Sequence, residues 1–318
     1  MAHIHILYEN ADWLAPLAET FDARILPWRG WDMADGAFDI SAPPPDGVFF
    51  SRMSASAHTR DHRFSTDLTA GVLTWLERHG RYVVNGVRAL DLELSKARQY
   101  AALEAAGIRT PRTLIVLGRH RLLKAARQAF GDGPFILKPN RGGKGLGVQL
   151  FNTMNGFQAY LESTLYDEPV DGIHLLQEYV KAPEPFITRC EFIGGKFLYA
   201  VRVDTSAGFE LCPADACAIG DAFCPVGEEA VRPKFEIIPD IDASQKAAYE
   251  RMLAENGVEV AGIEFIVGAD GQARTYDINT NTNYNTEAEA RAGISGRATL
   301  ADFLGGALRR LYPALAAE

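Results

Sequence analysis

Two alternating runs, Ala261–Val267 and Gln272–Asn279, flank the turn Gly268-Ala269-Asp270-Gly271 and restrict this chain more than any other segment. Apolar and polar residues alternate with the period of two that sends successive side chains to opposite faces of a strand. The glycine-bearing turn between the runs predicts an antiparallel hairpin. A four-residue turn pairs Val267 with Gln272 and Glu264 with Thr275. Glu264, Asp277 and Asn279 then share one face, while Ile263, Phe265, Val267, Tyr276 and Ile278 share the other and can join a core. Two carboxylates and an amide oxygen are a hard-oxygen set suited to Mg²⁺, which completes its shell with waters and phosphate oxygens. The alternative is a solvated polar face, but Asn is a poor strand residue and has no evident structural duty here.

A second hairpin is read from Gly194-Gly195, set between alternating runs from Thr188 to Val203. A two-residue turn of this kind pairs Ile193 with Lys196, Glu191 with Leu198, Arg189 with Ala200 and Ile187 with Arg202. Cys190, Phe192, Phe197, Tyr199 and Val201 then form an apolar face, and Arg189, Glu191 and Arg202 lie on the other. Two close arginines repel unless an anion sits near them. Glu191 supplies it in a structural reading, and a substrate phosphate or carboxylate in a functional one.

Pro134–Pro139 and Gly147–Phe151 read as strands joined by a loop with four glycines in Gly142–Gly147. Such a loop lets backbone N–H groups close on an anion without Cβ clashes. Lys138, Arg141 and Lys144 add positive charge. A phosphate cradle and a flexible hairpin tip both fit. GxxxxGK[ST] is absent and the loop enters a strand rather than a helix, so this is not a P-loop.

The N-terminal stretch alternates strand and helix: strands at His3–Tyr8, Val48–Arg52 and Tyr82–Asn85, with Leu68, Val72, Trp75 and Leu76 on one helix face and Gly80 as its stop. That order favours a parallel sheet. Further helices are expected over Leu92–Ala106, ending at Gly107, and over Arg119–Phe130, with Ile108–Pro111 extended between them. At 318 residues the chain suits two or three packed subdomains. No apolar run approaches the roughly 20 residues that span a bilayer, and no signal peptide is read at the N-terminus, so the cytoplasm is the expected location. A net charge of −9 disfavours nucleic acid as the main partner. Cys190, Cys212, Cys217 and Cys224 contain no CxxC pair, so reduced thiols are expected rather than a metal cluster.

Taken in order from about Asn85 to Phe303, these segments resemble the ATP-grasp superfamily and, within it, the RimK-like amino-acid ligases. Ser95-Lys96 followed by Ala105–Pro111 is similar to the family's lysine-bearing helix and strand entry, and Gln177-Glu178-Tyr179-Val180-Lys181 to its adenine hinge. The resemblance implies an α/β (α+β) ATP-grasp fold. A parallel-sheet domain over 1–90 would precede a central subdomain over 91–180 with the glycine flap and a C-terminal subdomain over 181–318 with the metal site. It implies that Lys96 and Lys138 contact ATP phosphates, that Gly142, Gly143, Lys144 and Gly145 belong to the flap, and that Gln177–Lys181 hold adenine. It further implies that Glu264, Asp277 and Asn279 bind two Mg²⁺ ions, or Mn²⁺, and that Arg202, Arg189 and Lys138 serve the chemistry.

Two departures concern substrates. Ile187 stands where the family commonly has an acidic ribose ligand, leaving Glu184 as a candidate. Thr205–Asp215 and Thr280–Asn285 differ from the family's basic, glycine-containing stretch and small-residue continuation, and both are expected near the acceptor site. The implied reaction activates a carboxylate as an acyl phosphate and joins it to an amine, releasing ADP. The substrates would be a small carboxylate and an amino acid or peptide, with no nucleic acid or membrane partner and with a homo-oligomer as an open option. A phosphotransferase and a non-catalytic nucleotide-binding module are the rivals.

Overall fold

The computed structural model of the chain describes residues 1–143, 145–206 and 234–313. Strands β1 (His3–Tyr8), β2 (Trp28–Asp32), β3 (Gly47–Ser51) and β4 (Tyr82–Val84) form a parallel sheet in the order β2-β1-β3-β4. Ile4, Ile6, Val48 and Phe50 are buried in it, as the apolar runs require. The sequence reading missed β2, because Trp-Arg-Gly-Trp-Asp lacks an apolar run and forms an edge strand only by pairing with β1. Helices α1 (Ala11–Ala23) and α2 (Ser65–Arg78) belong to this unit. Asn10 caps α1 by accepting from the N–H groups of Asp12 and Trp13. Gly80, with φ +68, follows α2 as its stop.

The single helix expected over Leu92–Ala106 is instead two, α3 (Val87–Glu93) and α4 (Lys96–Ala105). Ser95 divides them: its backbone is extended and its hydroxyl accepts from the Arg98 N–H, so it caps α4 rather than continuing α3.

The second sheet, order β5-β8-β6-β7, is antiparallel throughout and consists of β5 (Thr113–Leu117), β6 (Phe135–Pro139), β7 (Gln149–Phe151) and β8 (Ile173–Glu178). Helices α5 (Arg119–Phe130) and α6 (Met154–Glu162) contribute Leu122, Ala126, Phe157 and Leu161 to its core. The third sheet, order β11-β10-β9-β12-β13, is also antiparallel, with β9 (Phe186–Ile193), β10 (Lys196–Asp204), β11 (Phe235–Ile238), β12 (Val260–Val267) and β13 (Ala273–Asn279). Helix α7 (Ala243–Glu255) packs Tyr249, Met252 and Leu253 against Cys190, Phe192, Ala261 and Ile263 on one face. After α8 (Thr286–Ala292), helix α9 (Gly296–Leu311) returns to the first sheet. There Leu300, Leu304 and Leu308 share one core with Ile4, Ile6, Val48 and Phe50 and with Tyr199, Val201 and Val203 of the third sheet. No described helix is long and apolar enough to cross a membrane.

Both hairpin registers differ from the sequence expectation. Gly194 and Gly195, at φ +62 and +69, make the two-residue turn, and Ile193 does pair with Lys196. A bulge between Phe197 and Tyr199 then moves β10 by one residue, so Glu191 faces Tyr199, Arg189 faces Val201 and Ile187 faces Val203. Because side chains alternate with period two, that slip reverses the face of everything beyond it. Tyr199 and Val201 join the side of Arg189 and Glu191, and Arg202, opposite Thr188, goes to the other side. In the second hairpin Val267 pairs with Ala273, and a second shift at Tyr276 puts Glu264 directly opposite Asp277 and Gly262 opposite Asn279. The expected grouping of Glu264, Asp277 and Asn279 therefore stands on a different register, while Tyr276, expected in the core, turns toward the opposite face.

Candidate active site

A cleft of ≈ 580 Å³ lies between the second and third sheets, with Ser54 and Ser56 after β3 and Trp13 of α1 at its edge. Its floor is the β12–β13 hairpin, where Glu264, Tyr276, Asp277 and Asn279 line the space. Arg189 of β9, only 2% exposed, organises this floor. Its Nε donates to Glu191 Oε1 (2.6 Å), its Nη1 to Glu264 Oε1 (2.9 Å) and its Nη2 to Thr282 Oγ1 (2.6 Å). Thr282 in turn donates to Glu191 Oε2 at 2.7 Å. Such a buried cation needs carboxylate partners to offset its desolvation. The guanidinium lies against Gly262, where a Cβ would stand 2.4 Å from Nη2, so glycine is required there by close approach.

Two lysines face the floor. Lys96 begins α4 and forms an ion pair with Asp277. Burial opposes the charge of Lys96, but Asp277 and the more distant Glu93 and Glu264 overcome it and raise the ammonium above its usual value. For Asp277 burial acts upward, yet Lys96, then Lys138 and Arg189, bring the carboxyl below its usual range. Glu264 is raised, first by burial and then by the like charge of Asp277, against the pull of Arg189. Lys138 on β6 is 4% exposed, with its Nζ 5.2 Å from the Tyr100 ring centroid and 5.8 Å from that of Tyr276. Burial, followed by repulsion from Lys96, lowers it to about 7. A lysine held this way gains charge and hydrogen-bond partners when a polyphosphate approaches.

Asn140, which the sequence reading did not single out, positions both lysines. Its carbonyl oxygen accepts from the Ala97 N–H (2.9 Å) and the Ser95 hydroxyl (3.1 Å), and its amide donates to Asp171 (2.7 Å). Its backbone carbonyl receives the Lys96 N–H at 3.1 Å. One side chain thus fastens the start of α4 to the end of β6. Glu93, also missed, is buried and accepts from the Ala55 N–H (3.1 Å) and the Thr280 N–H (2.7 Å), joining the N-terminal unit to the end of β13. Neither sits in a recognisable motif; an Asn following Lys-Pro and a Glu within an apolar helix were the available signals.

Gly142, Gly143 and Gly145 line the cleft, and Gly145 and Gly147 take φ +72 and +75, so the turn uses its glycines for backbone shape. Arg141 donates to Thr66 at the start of α2. Lys144 lies outside the described residues. Gln177, Glu178, Tyr179, Val180 and Lys181 all line the opposite wall. The Gln177 side chain turns inward to Tyr100 Oη (3.1 Å) and Thr113 Oγ1 (2.8 Å), and Glu178 pairs with Arg274 at 3.3 Å. Ile187 and Glu184 also line the cleft, as do Thr205, Ser206, Asn281 and Asn283 from the two departing segments. Residues 207–215 of the first segment lie outside the described residues.

Arg202 is the main correction. The register slip takes it away from Arg189; it is not among the cleft-lining residues, and its guanidinium sits 4.2 Å over the Phe186 ring. Arg189 does reach the cleft, but with its donors committed to Glu191, Glu264 and Thr282 it acts as a positioning residue for the floor. Of the cysteines only Cys190 is described; it is buried in the core, and burial pushes its thiol up. Cys212, Cys217 and Cys224 lie outside the described residues. Among the described residues no three His, Cys, Asp or Glu side chains gather as a metal set. The hairpin offers two carboxylates and an amide, a donor set that fits Mg²⁺ sharing its shell with phosphate.

No family model matches the chain. A probable alpha-L-glutamate ligase 2 of Pseudoalteromonas atlantica is 27% identical over 137 residues, which is 43% of this chain and 44% of that protein, so the match spans under half the relative's length. Among solved structures, a RimK domain ATP-grasp protein from Sphaerobacter thermophilus superposes with a TM-score of 0.65 at 19% identity, covering 95% of this chain and 99% of that one. The ATP-grasp ligase PsnB, complexed with a minimal precursor, has a TM-score of 0.66 at 18% identity, covering 95% of this chain and 98% of that one; PsnB was also solved with Mg and ADP. The order and pairing of the strands, the cleft between two antiparallel sheets and these superpositions agree: this chain has the ATP-grasp fold.

Proposed function

We propose that the protein is an ADP-forming carboxylate–amine ligase that makes an amide or peptide bond through an acyl phosphate. The observation that carries this reading is the juxtaposition of Glu264, Asp277 and Asn279 with Lys96 and Lys138 in one cleft, closed on one side by the glycine turn. ATP would lie with its adenine along Gln177–Lys181 and its phosphates toward Lys96, Lys138 and the N–H groups of Gly142–Gly145. Glu264, Asp277 and Asn279 would hold Mg²⁺, which when bound neutralises phosphate oxygens. The Mg and ADP complex of PsnB supports nucleotide and metal as the partners here. Lys138 stabilises charge on the transferring phosphoryl group, and Arg189 keeps Glu264 oriented. A carboxylate attacks the γ-phosphate, ADP leaves, and an amine then displaces phosphate from the acyl carbon. Asn281, Asn283, Thr205 and Ser206 stand where the acceptor would enter. The glutamate-ligase name of the curated relative supports an amino acid as that acceptor.

Hydroxylamine tests the reaction class. With MgATP and a panel of amino acids and small carboxylates, interception of an acyl phosphate yields a hydroxamate together with ADP. A stable phosphate ester without hydroxamate would instead identify a phosphotransferase, and neither product across the panel would favour a binding module.

A further inference from the structure

A second cavity, of ≈ 270 Å³, adjoins the cleft; Trp13 and Asn283 line both. Its other walls include Arg52, Tyr284 and Arg297. Arg52, 6% exposed, directly follows β3 of the first sheet. It donates to Asn281 Oδ1 (3.0 Å), the Trp13 carbonyl (2.9 Å) and Asn283 Oδ1 (2.6 Å), and at 3.5 Å to the Thr282 carbonyl. Every one of these acceptors is neutral. The contrast with Arg189, equally buried but neutralised by Glu191 and Glu264, is direct. An unneutralised buried charge such as Arg52 is costly. Arg297, half-buried with Glu289 near it and donating to Thr286 Oγ1 at 3.2 Å, also borders the space. Burial lowers Arg52 to about 10, with Tyr284 opposing and Arg297 assisting, which leaves it fully charged at neutral pH.

Tyr284 supplies an independent observation. The residue is 3% exposed, its ring lies against Gly296, and its hydroxyl is buried with no hydrogen-bond partner among the described residues. Native structures rarely leave such a group unsatisfied. Burial and the nearby Glu191 carboxylate raise the phenol well above its usual value, so it stays protonated and acts as a donor. The acidic side chain bordering the cavity is Asp12, exposed at its rim.

We propose that this cavity is a carboxylate-binding subsite, formed by Arg52, Arg297 and Tyr284, which holds the carboxylate of a small amino-acid substrate whose reacting group lies in the adjoining cleft. That the bound molecule is a ligase substrate rests on the reading above; that the cavity takes a carboxylate does not. The volume is just below the ~300–1,000 Å³ of pockets that take drug-sized ligands, which suits an amino-acid-sized group.

The test is calorimetric titration of the intact chain with L-glutamate and glutarate, and with glutaramide as the uncharged control. Saturable binding of at least one acid is expected, with none of the diamide. Tyr284→Phe removes a hydroxyl that has no hydrogen-bond partner among the described residues, so its melting temperature should hold or rise while acid affinity falls about tenfold, the loss of one charge-assisted hydrogen bond. Arg297→Gln should weaken the acid by a similar factor. Absence of saturation by either acid at about 10 mM, equal binding of the diamide, or unchanged affinity in both variants would overturn the subsite. AMPPNP with Mg²⁺ is titrated in the same preparations. Its failure to bind wild type would sink the ligase reading and leave the carboxylate result standing, and the reverse pattern would sink the subsite alone.

Discussion

Replacing Gly262 with alanine places one carbon where the Arg189 guanidinium lies, 2.4 Å from Nη2, 2.6 Å from Cζ and 2.7 Å from Nε. Arg189 cannot yield cheaply. It is 2% exposed, and its donors hold Glu191, Glu264 and Thr282 at 2.6, 2.9 and 2.6 Å. Moving it strands at least one buried carboxylate. Separating one partner from a buried ion pair costs about 3–5 kcal/mol. With a urea slope of about 3 kcal/mol per molar, the unfolding midpoint should drop by about 1–1.7 M. Turnover should fall as well, because Glu264 loses the group that orients it. The cause is checked in an Arg189→Ala background, where the clash is gone and Gly262→Ala should cost under about 1 kcal/mol. A midpoint unchanged in the single variant, or a full cost persisting in that background, refutes the reasoning.

Lys138→Ala should weaken MgATP by about 1.5–3 kcal/mol in a folded protein, read by calorimetry. The phosphate contact needs the charged amine, and in the free protein Lys138 is lowered to about 7. Nucleotide affinity should therefore be full below about pH 7 and fall by up to about tenfold per pH unit above it, a slope absent from the variant; affinity flat between about pH 6 and 9 in wild type would contradict this. Asp277→Asn should leave the circular dichroism unchanged and cut Mg²⁺-dependent ADP release; full activity would move the metal elsewhere. Asn140→Ala removes contacts to Ala97, Ser95 and Asp171 at 2.9, 3.1 and 2.7 Å, and should cost about 2–3 kcal/mol of stability in urea melts.

Local signals carried the elements well. Period-two runs and paired glycines located β9, β10, β12 and β13, and the apolar spacing of Leu68 to Leu76 located α2. The edge strand β2 has no such signal, because its place comes from pairing with β1 rather than from its own residues. Ser95 was legible as a cap in principle, yet one helix was expected to run through it from Leu92 to Ala106.

The sequence by itself determined which residues could serve a phosphate and a metal: lysines beside a glycine turn, and Glu, Asp and Asn spaced along two strands. Those choices are local, since side-chain chemistry and strand period are properties of a few neighbouring residues. Only the tertiary structure decided which of them meet. Bulges after Phe197 and at Tyr276 reset both hairpins, sending Arg202 away from Arg189 while bringing Glu264 opposite Asp277. A one-residue slip leaves composition untouched but reverses every side chain beyond it. Nor does a sequence state whether an arginine is neutralised. Arg189 and Arg52 both stand in runs read as strands; folding gave the first two carboxylates and the second neutral oxygens beside a cavity.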